Sequence, residues 1–416
     1  KHIIIISSLF FYSYWNLAFT FLIIYLFLST FFLIKKKINL NISIPIILLP
    51  LFFFKYSYFV LGFIKTDFFD YFLYTGELPL AISFITFTAI AILIDIKNKQ
   101  FNEELTFVNF SEFLVYFPQL IAGPILRAKE LVPQLKNKII FKNENIRFGI
   151  LLFSVGFIKK IFLADNIAII IDPYFENPEI YGSEDLIKGY LLFPLQIYFD
   201  FSGYIDMALG TSIFLGIKLP INFNKPYLTG SLTSFWRSWH ITLSNWFRDY
   251  LYIPMGGSRL SKNRLYFNLI ITMTIAGLWH GASFNFVLWG FLNGLFLCFE
   301  KIYNINNKNS LLRIIINCFL IFNLWLVFRI NEIDNLINYF FIIYSNLLDI
   351  FTLQNIAIFL FVAMSIYSQK FDNYLTIEKI SLKVNFSMLI PFFLILLVTG
   401  LGISTGQSDK FIYFDF

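Results

Sequence analysis

Two histidines set among apolar and small residues are the first candidates for chemistry in this sequence. His280 lies in the stretch Ala276–Ser283 with a glycine on each side, and His240 lies in the aromatic stretch Phe235–Tyr250. The chain has three histidines, and the third, His2, is at its edge. Because imidazole is the side chain best matched to taking a proton near neutral pH, we predict that His280 is a general base. The alternative is a histidine that only packs in a helical core.

Two carboxylates are the next candidates. Asp200 and Asp206 lie in the otherwise apolar run 186–217, with Ser202 and Tyr204 between them. Ionisable groups at membrane depth are costly, so their usual role is functional. These groups can line an aqueous cavity or bind a proton. They can equally form an internal polar network that fastens two helices together.

The stretch Phe235–Tyr250 combines aromatic and basic residues at helical spacing. At 100° per residue its large side chains fall within roughly 100° of arc; they are Trp236, Trp239, Leu243, Trp246, Phe247 and Tyr250. Arg237 and Arg248 fall on an adjacent polar stripe, with His240 at the seam. This pattern predicts an amphipathic helix lying in the membrane interface. The alternative is a site that docks an anionic group against the two arginines.

Other common catalytic motifs are absent from the sequence. It has no Cys/His metal-ligand spacing, no P-loop, no GxGxxG and no GxSxG elbow. A serine hydrolase, a kinase and a dinucleotide enzyme therefore have no support. We expect no metal and no bound cofactor.

The composition indicates the kind of element that must position these groups. Hydrophobic residues make up 58% of the chain and charged residues only 14%, against about 25% charged in soluble domains. This excludes a soluble enzyme, a coiled coil and a disulfide scaffold, and it predicts a polytopic helical membrane protein. The net charge of +6 lies mostly in short loops, the positive-inside pattern, so we expect a membrane and no nucleic acid as a partner.

The loop charges also predict a topology. Lys35–Lys37 and the basic loop 127–147 are expected on the cytoplasmic side, and the acidic loop 172–185 outside. The run Phe110–Ile125, broken by Pro118 and by Gly123–Pro124, must then enter and leave on one side as a re-entrant element; a kinked ordinary span is the alternative. The apolar runs are 3–34, 42–64, 78–96, 110–125, 148–171, 186–217, 265–279, 284–299, 311–328, 335–351, 354–368 and 388–402. About eleven of the helices that they predict are long enough to matter, and some of these are too short to span fully.

Five motifs in this order resemble the membrane-bound O-acyltransferases, in particular the bacterial membrane proteins of alginate and peptidoglycan O-acetylation. They are Phe117–Pro124, Asp200–Gly210, Phe235–His240 running on through Trp246–Gly257, Gly277–Ala282 and Phe411–Phe416. Together they cover nearly the whole chain.

The resemblance implies a single integral-membrane domain over residues 1–416. It would be a ring of about eleven transmembrane and re-entrant helices around a central tunnel. His280 would be the catalytic histidine near mid-membrane and His240 a second motif histidine. Asp200 and Asp206 would orient active-site groups, with Arg237 and Arg248 supporting the site.

The resemblance also implies a function. The protein would take acetyl from a cytoplasmic donor, expected to be acetyl-CoA, and pass it across the bacterial cytoplasmic membrane. The acceptor would be a cell-envelope polysaccharide, such as peptidoglycan or an alginate-like glycan, reached directly or through a periplasmic partner transferase. D-alanyl transfer to teichoic acid is the alternative among enzymes. A transporter or a scaffold is the alternative outside them.

Two departures from the family pattern bear on these expectations. Members usually begin with a further apolar helix before the stretch Ser8–Trp15, so we expect that helix to be missing from residues 1–416. Ser238 stands where related proteins often have a second arginine, which weakens an expected anion contact and leaves the histidine motif intact.

Overall fold

The computed structural model describes residues 2–61, 78–120, 123–137, 140–305 and 309–403. Every regular element among them is a helix, which confirms the all-helical fold class. The motif Phe411–Phe416 lies outside the described residues, as do Ile121 and Ala122 of the motif Phe117–Pro124.

The helices follow one another through most of the described chain. Those before residue 143 are α1 (His2–Trp15), α2 (Leu17–Lys35), α3 (Leu40–Leu51), α4 (Ser57–Leu61), α5 (Ile82–Lys97), α6 (Phe107–Leu114), α7 (Phe117–Leu120) and α8 (Ala128–Lys136). The later ones are α9 (Asn143–Phe157), α10 (Asp165–Glu176), α11 (Ser183–Phe214), α12 (Leu232–Trp236), α13 (Ile241–Phe247), α14 (Lys262–His280), α15 (Phe284–Ile302), α16 (Leu311–Arg329), α17 (Ile333–Ser345), α18 (Leu353–Ser368), α19 (Tyr374–Ser381) and α20 (Phe386–Ile403).

Three π-helical and three 3₁₀ segments join or extend these helices. The π-helical ones are Phe52–Tyr56, Ile158–Ala164 and Arg248–Tyr252, and the 3₁₀ ones are Pro178–Ile180, Pro226–Leu228 and Leu347–Phe351. π-Helical turns inside α-helices are frequent at functional sites. The segment Arg248–Tyr252 contains Arg248, and the segment Ile158–Ala164 contacts Asp200 and Asp206.

Two of the described helices are long and apolar enough to cross a membrane. They are α16 and α20, with mean hydropathies of 2.2 and 2.4. Helix α11 is longer, at 32 residues, but Asp200 and Asp206 interrupt its apolar run. The number of crossings and their arrangement in a ring stay predictions.

The run Phe110–Ile125 is interrupted, as Pro118 and Gly123 predict. Helix α6 ends at Leu114, and α7 has only four residues. A Cβ on Gly123 would lie 2.4 Å from the Cα atom of Gln119, so only glycine fits the bend. The break is confirmed, whereas re-entry from one side of a membrane stays a prediction.

The described chain divides into two compact units. The first comprises Lys1–Gly149 and Ala208–Pro220, and the second comprises Ile150–Met207 and Ile221–Phe416. Within the first, the Tyr12 hydroxyl donates to the Leu80 carbonyl oxygen at 2.7 Å, and that of Tyr116 donates to Ser212 Oγ at 3.2 Å. Both histidines and both aspartates of the candidate site belong to the second unit.

Helix α11 supplies the core of the second unit. Residues 191–203 of this helix are buried without a break, so it is covered on every side. Because the helix is covered all round, its polar groups must find partners on neighbouring elements. Those partners define the surroundings of the candidate site.

Candidate active site

His280 closes helix α14 inside a box of aromatic rings. Its side chain is buried, and the next residue, Gly281, leaves the helix in an extended conformation. Three rings meet the imidazole edge to face, at centroid distances of 4.9, 5.2 and 5.1 Å; they belong to Trp279, Trp289 and Phe328. Such a box keeps water away from the imidazole and fixes the plane of its ring.

Close helix packing brings this box together. A Cβ on Gly277 would lie 2.1 Å from the Phe286 carbonyl oxygen, and one on Gly290 would lie 2.3 Å from the Met273 carbonyl oxygen. Helices α14 and α15 therefore touch backbone to backbone at these two glycines. The sequence predicted that small residues beside His280 allow another group to come close. That group is helix α15, and its Trp289 contacts the imidazole.

His240 lies at a sharp turn between two short helices. Its φ and ψ angles are +42° and +54°, the left-handed region, and its side chain is almost fully buried. The Phe201 ring of helix α11 meets the imidazole edge to face at 4.7 Å. A histidine in this conformation is unusual, and strained backbone of this kind concentrates at functional sites.

Both histidines contact one indole. The Trp279 ring lies 4.9 Å from the His280 ring and 6.2 Å from the His240 ring, centroid to centroid. The two residues singled out from separate motifs therefore meet at a shared aromatic wall. Two buried imidazoles beside an indole are placed to accept and return a proton.

The single amphipathic helix predicted over Phe235–Tyr250 is wrong. Helix α12 ends at Trp236, the chain turns at His240, and a second helix begins at Ile241, with α13 continued by the π-helical segment to Tyr252. Trp239, which periodicity placed on a membrane-facing stripe, is buried. The helical periodicity is present in the sequence, but long-range contacts that turn the chain at His240 override it.

The two arginines are exposed, whereas the two histidines are buried. Arg237 caps the end of helix α12 and is exposed. Arg248 is exposed as well, with 56% of its side chain accessible, and it pairs with Asp249 at 2.7 Å. Their part in an active site stays a prediction.

Asp200 and Asp206 of helix α11 form ion pairs with two consecutive lysines. Lys160 Nζ lies 2.7 Å from Asp200, and Lys159 Nζ lies 2.6 Å from Asp206. Both lysines belong to the π-helical segment Ile158–Ala164, which continues helix α9. Of the two alternatives for these carboxylates, the internal network that joins helices is the one whose contacts are present.

Each lysine holds a second carboxylate as well. Lys160 also pairs with Asp165 at 2.7 Å, and Lys159 with Asp372, in the turn after helix α18, at 2.6 Å. Asp372 in turn accepts a hydrogen bond of 2.6 Å from the Tyr198 hydroxyl of helix α11. The network therefore ties two separate regions of the second unit, residues 158–165 and the turn that contains Asp372, to the helix that carries Phe201.

Four residues of this network were not predicted from the sequence: Lys159, Lys160, Tyr198 and Asp372. A signal for the lysines was present, because two adjacent ammonium groups in the middle of the predicted span 148–171 are costly without partners. No local signal marks Asp372, since its partners lie far away in sequence. Among the described residues, no group of three His, Cys, Asp or Glu side chains is placed to hold a metal ion.

Comparison with known proteins places these motifs in a family. Residues 96–340 match the model of the membrane-bound O-acyltransferase family, and this segment contains both histidines and the Asp200–Gly210 motif. The chain belongs to the membrane-bound O-acyltransferase family. Membership accounts for the membrane-like composition, since the family is membrane-bound.

Several relatives of this acyltransferase-family chain carry functional names. It is 40% identical to the probable alginate O-acetylase AlgI of Pseudomonas aeruginosa, over 62% of the chain and 50% of that protein. It is 36% identical to the peptidoglycan O-acetyltransferase of Helicobacter pylori, over 72% of the chain and 64% of that protein. It is 30% identical to the teichoic acid D-alanyltransferase of Bacillus subtilis, over 55% of the chain and 60% of that protein. The matches span about half the length of the alginate O-acetylases.

Proposed function

We propose that this chain is a membrane-bound O-acetyltransferase that modifies a cell-envelope polysaccharide. The observation that carries the proposal is the meeting of His240 and His280 at Trp279 inside a family of acyltransferases. The relatives named as alginate O-acetylase and peptidoglycan O-acetyltransferase support acetyl as the group that is moved. Both polysaccharides are candidate acceptors.

We propose that His280 is the general base. Its imidazole accepts the proton of an acceptor hydroxyl, and the hydroxyl oxygen attacks the carbonyl carbon of an acetyl thioester. The carbon–sulfur bond breaks, and the proton returns from the imidazole to the leaving thiolate. The aromatic box around His280 excludes water, which would otherwise compete with the acceptor. His240 acts beside it, with Asp200 and Asp206 orienting the elements that carry both histidines and Arg237 and Arg248 supporting the site.

We propose acetyl-CoA as the donor, reaching the site from the cytoplasmic side. The whole chain would act as one multi-pass domain of the bacterial cytoplasmic membrane, a ring of about eleven helices around a tunnel that joins the two faces. A periplasmic transferase is the expected partner where the acetyl group does not pass directly to the glycan. Acetylated envelope glycan is the product in either case.

Base-labile acetyl groups on purified envelope glycan test this proposal. We expect His280→Ala to abolish them at unchanged membrane abundance, whereas Arg264→Gln, an exposed change on the same helix, leaves them at the wild-type level. Fractionating the glycan then identifies the acceptor. Normal acetylation in the His280→Ala strain would rule out His280 as the base.

D-alanyl transfer to teichoic acid is the second candidate. It is favoured by the likeness to the D-alanyltransferases of Bacillus subtilis and Streptococcus thermophilus, at 30% and 29% identity. Labelled acetate and labelled D-alanine, fed to cells in parallel, separate the two. Label from acetate that depends on His280 supports the first proposal, and label from D-alanine that depends on His280 supports the second.

A further inference from the structure

We propose that Asn222 is a positioning residue for His240, and this inference rests on the proposed function. Asn222 lies outside the motifs that carry the family resemblance, and it is almost fully buried at 1% exposure. It belongs to the irregular segment between helices α11 and α12. Its contacts converge on the two residues that follow His240.

The backbone of His240 has a conformation that needs support from neighbouring residues. A φ of +42° places it in the left-handed region, which glycine adopts freely and residues with a Cβ adopt uncommonly. Such a conformation persists only where the surrounding structure over-determines it. The contacts that hold His240 there therefore decide where its imidazole points.

Asn222 supplies three of these contacts. Its carbonyl oxygen accepts from the Ile241 amide at 3.0 Å, and its side-chain Oδ1 accepts from the Thr242 amide and from Thr242 Oγ1, each at 2.9 Å. The main-chain and side-chain oxygens of one residue thus bind the two peptide units directly after His240. The first turn of helix α13 is held at the same time, because these amides have no partner within their own helix.

The neighbours of Asn222 hold the other side of the turn. The Asn224 amide donates to the Ser238 carbonyl oxygen at 2.9 Å, two residues before His240. The Phe223 ring meets the rings of Phe201 and Trp239 edge to face, at 5.1 and 5.0 Å. Phe201 is also the ring that contacts the His240 imidazole.

The two ends of the Asn222 side-chain amide differ in their contacts. Two donors fix Oδ1 on the side of Thr242, and the Nδ2 group makes no hydrogen bond to any residue in the described part of the chain. The acceptor oxygen is therefore the part of the side chain that holds the turn. Aspartate keeps that oxygen at the same length, and burial without a cation raises the pKa of its carboxyl and so favours the neutral form, whereas alanine removes the oxygen.

The test compares Asn222→Ala, Asn222→Asp and a control, Asn317→Ala. Asn317 is a buried asparagine of the same unit whose Nδ2 donates to the Thr229 carbonyl oxygen at 2.9 Å, so its loss is a comparable structural change. We expect Asn222→Ala to lower kcat for acetyl transfer about tenfold or more with little change in KM, since a misplaced group loses transition-state contacts. Asn222→Asp restores most of kcat, and Asn317→Ala leaves it near wild type.

Unchanged kcat in Asn222→Ala, or an Asn222→Asp variant as impaired as Asn222→Ala, would overturn the inference. Amide hydrogen exchange at Ile241 and Thr242 provides a readout that does not depend on acetyl transfer. Faster exchange in Asn222→Ala but not in Asn317→Ala upholds the contact even if the wild-type protein transfers no acetyl. Equal exchange in Asn222→Ala and wild type sinks the inference, whatever the fate of the proposed function.

Discussion

The Lys159 ammonium lies 2.6 Å from the Asp372 carboxylate, although 213 residues separate them along the chain. The same ammonium holds Asp206 of helix α11 at 2.6 Å. Only 9% of the lysine side chain is accessible, and its ammonium is the cation that contacts both carboxylates. This ion triad joins the π-helical segment, helix α11 and the turn after helix α18.

Removing the ammonium should destabilise the fold. Lys159→Met leaves two largely buried carboxylates without their cation, and we expect a loss of about 3–5 kcal/mol in the free energy of unfolding. Thermal unfolding in detergent measures it. The control is Lys136→Met, which removes an exposed pair with Glu103 and should cost at most about 1 kcal/mol. Equal losses in the two variants would contradict the structural role of the triad.

Gly277→Ala should separate helices α14 and α15. The added Cβ would lie 2.1 Å from the Phe286 carbonyl oxygen, so one backbone must move. We expect about 1–3 kcal/mol of destabilisation, together with loss of acetyl transfer as Trp289 shifts from the imidazole. Gly182→Ala has open space around the added carbon and should stay within about 0.5 kcal/mol of wild type. A fully active and stable Gly277→Ala variant would contradict this packing.

Trp279→Phe tests the shared indole. The smaller phenyl ring cannot fill the space between the two imidazoles, so each imidazole loses part of its contact with an aromatic ring. We expect kcat to fall about tenfold, because displacement of reacting groups by a fraction of an ångström is costly. The comparison is Trp246→Phe on helix α13, whose ring packs on Phe247 and Tyr250. If the two variants retain the same kcat, the indole has no special place in the reaction.

Arg237→Gln tests the predicted anion contact. An exposed guanidinium binds phosphate groups, so its loss should raise the KM for acetyl-CoA several-fold and leave kcat unchanged. Arg264→Gln, another exposed arginine, serves as the matched control. Steady-state kinetics of donor consumption separates KM from kcat. An unchanged KM in Arg237→Gln would remove Arg237 from the site.

The sequence by itself determined the features that depend on local chemistry. Its composition indicated helices and a membrane, and Pro118 and Gly123 marked the break that the structure contains after Leu114. Few histidines and the small residues beside His280 were enough to single it out. These signals are readable because each depends on a residue and its near neighbours.

Tertiary structure alone decided the geometry of the candidate site. Periodicity favoured a continuous helix through His240, but Asn222, 18 residues earlier, binds the following amides and holds the chain in a turn. The meeting of both imidazoles at Trp279 and the pairing of Lys159 with Asp372 have no local trace either. Hydrogen bonds and ion pairs between distant segments form only when packing brings the partners together, so no pattern of neighbours can predict them.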